Sequence, residues 1–400
     1  MDTLTISRPY IRTRGTKSRL CADVTWPGRS RTIWFEVDGE YEPFLCAERA
    51  DAFLVALLPF AMLKGYHVCS KACVSEILCY QITSSLIPSL TANIRQFARI
   101  NIDAASDGKP LDSAHGVATA LSCGVDSFYT VLKHIHTGMP TFDLTHLTYF
   151  NIMNHWQWKQ YGEDSSREFS IARVNYVRPA AQELGLKLVA VDSNLDLLYR
   201  DHSLLGTYTF RYMGTALAVQ KLFRKYYWSA GYPVAQFAVT FDDLAACDLL
   251  TVRCVSNENT TFYSTGSEVT RLEKTAAIAD SRIAQRYLNV CWSSLRNCTD
   301  KCDKCRRTSL ALYALNKLDL YREVFDVDRF YTHIHKHLGY MLAMRRRETH
   351  HSFYDEVYRQ LEQRGARIDP RARSYAGMYQ LNFRIRDLLE GLKSIAREHE

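Results

Sequence analysis

The chain carries the stretch Ser122-Cys123-Gly124-Val125-Asp126-Ser127. An apolar run at 117–121 precedes it, and an amphipathic stretch at 128–136 follows it. This order predicts a strand, a tight loop of small residues and the start of a helix. Because unpaired amides at a helix N-terminus point towards bound oxyanions, the arrangement is typical of a phosphate-binding loop. It is not a Walker loop, since it lacks the Gly-x4-Gly-Lys-Ser/Thr pattern.

Each residue type in this loop has its own physical role. Gly124 allows backbone conformations that other residues avoid, so that the main chain can approach a phosphate closely. Ser122 and Ser127 add hydroxyl donors, and Asp126 suits the holding of loop amides or of a Mg²⁺ ion shared with the phosphates. Cys123 would lie where the helix dipole favours a nucleophilic thiolate. The alternatives are an ordinary strand–helix connection and a cysteine that only packs.

Composition indicates a globular chain. It has 400 residues, of which 47% are hydrophobic and 23% charged, enough for two or three domains with cores of their own. The longest apolar run, at 52–63, is too short to span a bilayer, and the N-terminus lacks the features of a secretory signal. We therefore expect a soluble cytoplasmic protein. The net charge of +7 suits phosphate-bearing ligands or has no specific meaning, and it does not require nucleic acid.

Four of the twelve cysteines form a group with the spacing Cys-x6-Cys-x3-Cys-x2-Cys. They are Cys291, Cys298, Cys302 and Cys305. Thiolates at such intervals can converge on a tetrahedral zinc ion, and a closed site of four cysteines is usually structural. The competing interpretation is a reduced cluster that passes sulfur on as a persulfide.

Between these two motifs, short β runs alternate with helical stretches. The predicted strands are 117–121, 145–150, 187–191, 225–229 and 287–291, and the predicted helices are 128–136, 166–184 with a break near Pro179, 212–224 and 268–286. Such alternation predicts an α/β fold with a parallel sheet and helices on both faces. Ligands in such sheets bind at the carboxyl ends of the strands. That edge would also carry His155 and Asp192.

A helix predicted to open near residue 268 places Arg271 and Lys274 three residues apart on one face. Two cations so placed could hold pyrophosphate, although an ordinary surface helix accounts for them equally well. The predicted domains are an N-terminal α+β module at 1–112, an α/β domain with the cysteine group at 113–308, and a helical C-terminal region at 309–400.

The loop and the cysteine group together resemble the PP-loop ATP pyrophosphatases, whose loop reads Ser-Gly-Gly-x-Asp-Ser and which cleave ATP to AMP and pyrophosphate while adenylating a substrate. Here Cys123 stands at the first glycine of that pattern. The cysteine group resembles the zinc knuckle of the 7-cyano-7-deazaguanine synthases, except that its second gap is x3 where that family has x2. The likeness, which covers residues 115–310, implies a PP-loop or HUP-like fold.

With Cys123 in the loop, the chain looks most like the thioamide-forming enzymes of 6-thioguanine biosynthesis. In these enzymes the lactam oxygen of guanine is adenylated and sulfur replaces it as AMP leaves. The resemblance implies that ATP binds with Mg²⁺ at Ser122, Gly124, Val125, Asp126 and Ser127. It implies that Cys123 and Asp126 are catalytic, that Arg271 and Lys274 contact the nucleotide, and that the four cysteines hold structural Zn²⁺. The partners would be a purine and a sulfur donor protein or sulfide, with a homodimer left open.

Two alternatives belong to other classes. One is a ligase of the deazaguanine-synthase type, which adenylates a carboxylate and in which Cys123 is only a spacer. The other is a tRNA-binding protein, either a tRNA thiolase or a silent module, that uses its basic C-terminal helices, including Arg345, Arg346 and Arg347.

Overall fold

A computed structural model describes residues 2–152, 163–347 and 353–398. The chain divides into two compact units, one of Met1–Ser122 with Asp126–Thr270 and one of Cys123–Val125 with Arg271–Glu400. These boundaries differ from the predicted ones at 112 and 308. His155 lies outside the described residues.

The first unit contains thirteen strands among its described residues. Their bounds are β1 Thr3–Ile6, β2 Tyr10–Arg14, β3 Lys17–Trp26, β4 Arg29–Asp38, β5 His67–Ser70, β6 Val74–Ser75, β7 Ile102–Asp103, β8 Ser106–Asp107, β9 Gly116–Ala120, β10 His146–Asn151, β11 Lys187–Ser193, β12 Phe223–Ser229 and β13 Thr261–Thr265. Strands β6 and β8 pair with each other, and the rest form one sheet of eleven strands.

Five consecutive strands of this sheet, β9 to β13, run parallel to one another. Numbered by their order along the chain, they stand in the sheet as 3-2-1-4-5, with β9 between β10 and β12. This is the order of the doubly wound α/β folds. The order reverses between β9 and β12, and their carboxyl ends therefore flank a topological switch point. The predicted α/β class, with a mostly parallel central sheet flanked by helices, is confirmed.

The helices of the first unit connect these strands. Their bounds are α1 Asp51–Lys64, α2 Glu76–Gln81, α3 Ile87–Asn93, α4 Val125–His134, α5 Glu163–Glu183, α6 Asp196–Tyr199, α7 Tyr208–Ala218 and α8 Asp248–Cys254, α4 beginning with one residue of the second unit. The segment Ile82–Leu86 between α2 and α3 is a π-helix.

The N-terminal residues continue the parallel sheet instead of forming a separate module. Strand β4 pairs antiparallel with β11, and the N-terminal strands follow from there in the order β4-β3-β1-β5-β7. A single hydrophobic core includes residues from Leu4 to Phe262. The predicted boundary at 112 is not a structural division because β4 covers what would otherwise be the open edge of β11.

A buried polar network ties the two halves of this unit together. The Asp51 carboxylate, which is fully buried, accepts hydrogen bonds from the Ser75 amide, at 2.8 Å, and from the side chains of Gln220 and Asn257, at 3.3 and 2.9 Å. Burial raises the pKa of Asp51, and these donors oppose that effect. Since Gln220 and Asn257 precede β12 and β13, the network fixes the amino ends of those strands against α1.

The second unit is helical. Its helices are α9 Arg271–Ile278, α10 Arg282–Tyr287, α11 Asp303–Ala314, α12 Val327–Thr332, α13 Ile334–Arg347, α14 Phe353–Gln363 and α15 Pro370–Glu398. The predicted helical C-terminal region is thereby confirmed. Among the helices described for the chain, none combines the length and the apolar character needed to cross a bilayer.

The predicted helix at 268–286 is two helices, α9 and α10, and the predicted fifth strand is misplaced. The predicted strand at 287–291 is not a strand: α10 ends at Tyr287, and the Asn289 amide after it donates to the carbonyl oxygen of Cys123 at 2.7 Å. Its apolar side chains are buried by packing outside a sheet. The fifth parallel strand is instead β13, with the sequence Thr-Phe-Tyr-Ser-Thr. Its Tyr263 side chain is partly exposed at the edge of the sheet.

Helices α1 and α7 approach so closely that only glycine fits at position 214. A Cβ added to Gly214 would lie 2.6 Å from the Ala56 Cβ and 2.7 Å from the Ala52 carbonyl oxygen. We expect Gly214→Ala to lower the free energy of unfolding by about 2–4 kcal/mol, because backbone atoms must move apart. Gly377→Ala, in a helical position with open space around it, is the matched control and should be neutral or stabilising by up to about 1 kcal/mol. Urea denaturation of both variants provides the measurement, and equal effects would contradict the packing described.

Candidate functional site

The loop predicted to bind phosphate connects β9 directly to α4, at the switch point of the sheet. Strand β9 ends at Ala120, and α4 begins at Val125, three residues earlier than predicted. The hydroxyl groups of Ser122 and Ser127 are 3.2 Å apart, which brings together two of the predicted ligands. Ser122 is exposed, Gly124 and Asp126 are half-buried, and Val125 is buried. Val125 can therefore contribute its backbone amide to a ligand but not its side chain.

Cys123 occupies a strained position. Its φ of 61° lies in the left-handed region that glycine adopts freely and that other residues avoid at a cost of about 1–2 kcal/mol. The residue is fully buried, with an exposed fraction of 0%. The backbone thus has the conformation expected of the glycine that the PP-loop pattern places here. The thiol, however, is not accessible from solvent in this conformation, and its predicted catalytic role stays a prediction.

Polar side chains lie at the same carboxyl edge on the other side of β9. The Asn151 amide, at the end of β10, donates to the Asp192 carboxylate of β11 at 2.8 Å, and Ser170 donates to the Asn151 oxygen at 2.6 Å. Asp192 also accepts the Ser193 amide at 2.9 Å. The structure places Asp192 at the predicted edge, where it organises the ends of two strands.

A small pocket lies at the carboxyl ends of β12 and β13, and the sequence patterns did not reveal it. Its walls are formed by Ala230, Tyr232, Pro233, Val234, Phe237, Ala245, Ala246, Asp248, Leu249, Ser264 and Ser267. Its enclosed space of about 10 Å³ admits about one water molecule, whereas sites for drug-sized ligands are far larger. A signal was present in Gly231-Tyr232-Pro233, a turn sequence directly after a buried strand.

One buried polar atom of this pocket, the Ser264 Oγ, has no hydrogen-bond partner within the described part of the chain. Buried polar groups are normally satisfied because an unmet hydrogen bond costs about 1–3 kcal/mol. The Ser264 hydroxyl can therefore donate or accept one hydrogen bond with a polar ligand.

Asp248 supplies a neutral carboxyl group to the same wall. Burial raises the pKa of Asp248 to about 8, against the opposing hydrogen bonds from Trp228 and Thr209. The indole N–H of Trp228 donates to Oδ2, and Thr209 Oγ1 lies 3.0 Å from Oδ1. The nearby Asp243 carboxylate raises the pKa further. Near neutral pH this part of the cavity carries no negative charge.

Arg271 and Lys274 lie in the first turn of α9, in the second unit. Arg271 is half-buried, whereas Lys274 is 1% exposed and belongs to the largest buried side chains. A buried ammonium group requires compensating partners, so Lys274 does not belong to a solvated helix face. The interpretation of these residues as part of an ordinary surface helix is wrong for Lys274, and their contact with a nucleotide stays a prediction.

The four grouped cysteines converge, as predicted. Their sulfur atoms all lie within 4.8 Å of one another, close enough to hold a metal ion such as zinc. The Sγ atoms of Cys291 and Cys302 are 3.8 Å apart. A tetrahedral site with Zn–S bonds of about 2.3 Å has edges of about 3.8 Å, so this spacing fits zinc.

Backbone amides support the cysteine site as they do in zinc knuckles. The Cys302 amide donates to the Cys298 sulfur at 3.2 Å, and the Cys305 amide donates to the Cys302 sulfur at 3.4 Å. Cys302 is also the N-cap of α11. Without metal, hydrogen bonds from the thiols of Cys302 and Cys305 lower the pKa of Cys291. The hydrogen bond to Cys291 raises the pKa of Cys302 to about 11.

The basic run of α13 is partly neutralised by acids of the same unit. Arg345 pairs with Asp355 at 2.6 Å, and Arg347 pairs with Asp387 at 2.7 Å. Charges already paired in this way offer less to an RNA backbone.

Comparison with known proteins adds no relative: no family model, no curated protein and no solved structure matches this chain.

Zinc binding can be tested on the purified protein by elemental analysis. We expect about one zinc per chain, and we expect Cys302→Ser to lose most of it, because three thiolates hold the ion more weakly than four. Loss of the metal should also lower the temperature at which helix content is lost, since Cys302 begins α11. Cys69→Ser, which removes a half-buried thiol outside the cluster, is the control and should keep its zinc. A metal-free wild-type protein prepared without chelators would contradict the assignment.

Asp248 should make the stability of the protein depend on pH. Its pKa is higher in the folded protein than the value of about 4 in an unfolded chain, so the folded state binds the extra proton between these values. The free energy of unfolding should therefore fall as pH rises from about 4 to about 8. Asparagine at this position mimics the neutral acid, so Asp248→Asn should reduce the decrease in the free energy of unfolding with rising pH. Urea unfolding at pH 5.5 and 8.5 measures the slope; the exposed Asp242→Asn should leave it unchanged, and an unaltered slope in Asp248→Asn would show that another group is responsible.

Proposed function

We propose that this protein is an ATP-dependent enzyme that adenylates a lactam or amide carbonyl of a purine, with guanine favoured, and then replaces the oxygen with sulfur. The observation that carries the proposal is the position of the loop at 122–127. It follows the central strand β9 at the switch point, where doubly wound sheets bind their ligands. The neighbouring strand β12 ends at the small cavity that contains the neutral Asp248.

The loop would bind the phosphates of ATP through its amides and hydroxyl groups. Gly124 and Val125 would contribute backbone N–H groups at the start of α4, and Ser122 and Ser127 would contribute hydroxyl donors. Asp126 would help to place Mg²⁺, which neutralises charge on the phosphates. Arg271 and Lys274 are assigned to the pyrophosphate on the basis of their charge.

The cavity would hold the acceptor. The pocket is too small for a purine as it stands, so its walls would have to move apart when the acceptor binds. Tyr232 and Phe237 offer aromatic surface, and the Ser264 hydroxyl offers an unmet hydrogen bond. An uncharged carboxyl group at Asp248 avoids repelling the electron-rich oxygen of the substrate. These features favour a neutral heterocycle over a carboxylate as the acceptor.

The reaction proceeds in two steps that balance without a change of oxidation state. The carbonyl oxygen attacks the α-phosphorus of ATP, and the bond to the β-phosphate breaks to release pyrophosphate. Hydrosulfide then attacks the activated carbon, the bond from carbon to oxygen breaks, and AMP leaves with the former carbonyl oxygen. Loss of the sulfur proton gives the thioamide. In the relay version, the Cys123 thiolate displaces AMP first and hydrosulfide then displaces Cys123.

A second candidate, the ligase that adenylates a carboxylate, is favoured by one observation. Cys123 is fully buried, as expected of a residue that only fills space in the loop. In that enzyme ammonia or an amine displaces AMP, and the thiol takes no part.

The decisive assay combines ATP, Mg²⁺, guanine and sulfide, with mass spectrometry of the products. We expect AMP, pyrophosphate and 6-thioguanine, and oxygen-18 placed at the guanine carbonyl should appear in AMP. Asp126→Asn should slow AMP formation by at least about 100-fold, whereas the exposed Asp201→Asn should not. Absence of ATP cleavage with every acceptor tested would refute the proposal, and cleavage that depends on a carboxylate and an amine would select the ligase.

Cys123→Gly separates the relay from simple packing. Glycine fits the backbone angle of this position better than cysteine does, so the variant should fold. With a relay, Cys123→Gly keeps ATP cleavage and loses the thioamide product; with direct attack by hydrosulfide, it keeps both. Cys123→Ser, which retains the strained side chain, is the matched comparison.

A further inference from the structure

The C-terminal helix α15 exposes a row of large apolar side chains. Met378, Leu381, Ile385, Leu388 and Leu389 are 61, 60, 48, 68 and 53% exposed. The first four are separated by three, four and three residues, and the sequence continues this spacing with Leu392 and Ile395. The four described residues Met378, Leu381, Ile385 and Leu388 therefore have the alternating spacing of a and d positions, which is the pattern of a coiled-coil seam.

The opposite side of the same helix is already packed within the second unit. Ala372 and Ala376 are buried, and a Cβ on Gly339 of α13 would lie 2.5 Å from the Tyr375 Cβ. The Tyr340 ring of α13 lies 5.3 Å from the Tyr379 ring. At 100° per residue, positions 372, 376, 379 and 383 face away from positions 378, 381, 385 and 388. The apolar row is thus a second face, separate from the one that attaches α15 to its own unit.

The spacing of the row indicates what covers it. A broad apolar face suits a membrane surface or a globular core, whereas a narrow a/d stripe with a 3.5-residue period suits another helix that carries the same stripe. In a twofold-symmetric dimer, a second copy of this chain places the same stripe opposite the stripe of the first copy.

The area of the row also fits a dimer. The five side chains leave roughly 500 Å² of apolar surface exposed, near the upper end for the largest patch on a monomer. Two such rows with their flanking residues approach about 1,200 Å², the lower end of specific interfaces.

We propose that the protein forms a homodimer in which the α15 helices of two copies pack along the stripe of Met378, Leu381, Ile385 and Leu388. This interface does not depend on the proposed enzymatic activity.

Sedimentation equilibrium of the full-length protein tests the proposal. We expect twice the mass of one chain for the wild type and monomers for the double variant Leu381→Glu with Leu388→Glu, because four buried charges would face one another across the pair. The milder pair Leu381→Gln with Leu388→Gln should weaken association at least about tenfold. Arg386→Glu places the same new charge on α15 but off the stripe, and it should remain dimeric.

Circular dichroism and zinc content of each variant show whether the second unit stays folded. A wild-type monomer at high protein concentration would overturn the proposal, and so would a dimer that persists in the folded double variant. A monomer that binds vesicles of anionic lipid through this stripe would also overturn it, since that result assigns the row to a membrane surface.

Discussion

The parallel pairing of β12 with β9 is the constraint on which the candidate site depends. It makes β9 the centre of the parallel strands, so the chain leaves β9 towards one side and returns on the other to form β12 and β13. Buried contacts fix this pairing and tie β12 to β10 beyond β9. The Thr119 hydroxyl of β9 donates to the Tyr227 carbonyl oxygen at 2.9 Å, and the centre of the Tyr226 ring lies 6.2 Å from that of the Phe150 ring of β10. The carboxyl end of β9, from which the loop departs, and the pocket after β12 therefore lie at the same edge of one sheet.

Contacts on both sides of Cys123 explain how a non-glycine residue can keep a left-handed backbone there. The strain of about 1–2 kcal/mol persists only where the surroundings determine the conformation, and here β9 ends two residues before Ser122 while the Asn289 amide holds the Cys123 carbonyl oxygen. The same fixation buries the thiol. A thiol held in this way is shielded from oxidants and adventitious electrophiles. A relay through Cys123 therefore requires that ligand binding shift the loop, whereas a Cys123 that only fills space requires no movement of the loop.

The sequence was informative where a signal is local. Strands β9 to β12 were predicted because strands buried on both faces read as short apolar runs, and the cysteine site was predicted because its four ligands lie within fifteen residues. Pairings between distant segments leave no local trace: the join of β4 to β11 removed the predicted boundary at 112, and the cavity draws on segments that follow two different strands. The apolar run at 287–291 misled for a related reason, because burial by side-chain packing and burial within a sheet give the same pattern.

The cysteine site is better placed to support the second unit than to take part in chemistry. Cys302 caps α11, and one turn later the Arg306 guanidinium lies 3.9 Å from the Tyr340 ring of α13. Tyr340 in turn contacts Tyr379 of α15, and Tyr354 of α14 donates to Asp303 at the start of α11. A metal that fixes the first turn of α11 therefore orders the helices that hold α15 in place. Persulfide transfer would require one of these sulfurs to leave the cluster. That movement would break the N-cap of α11 or the amide hydrogen bonds that organise this packing. The connectivity of the site thus favours a structural ion over a sulfur carrier.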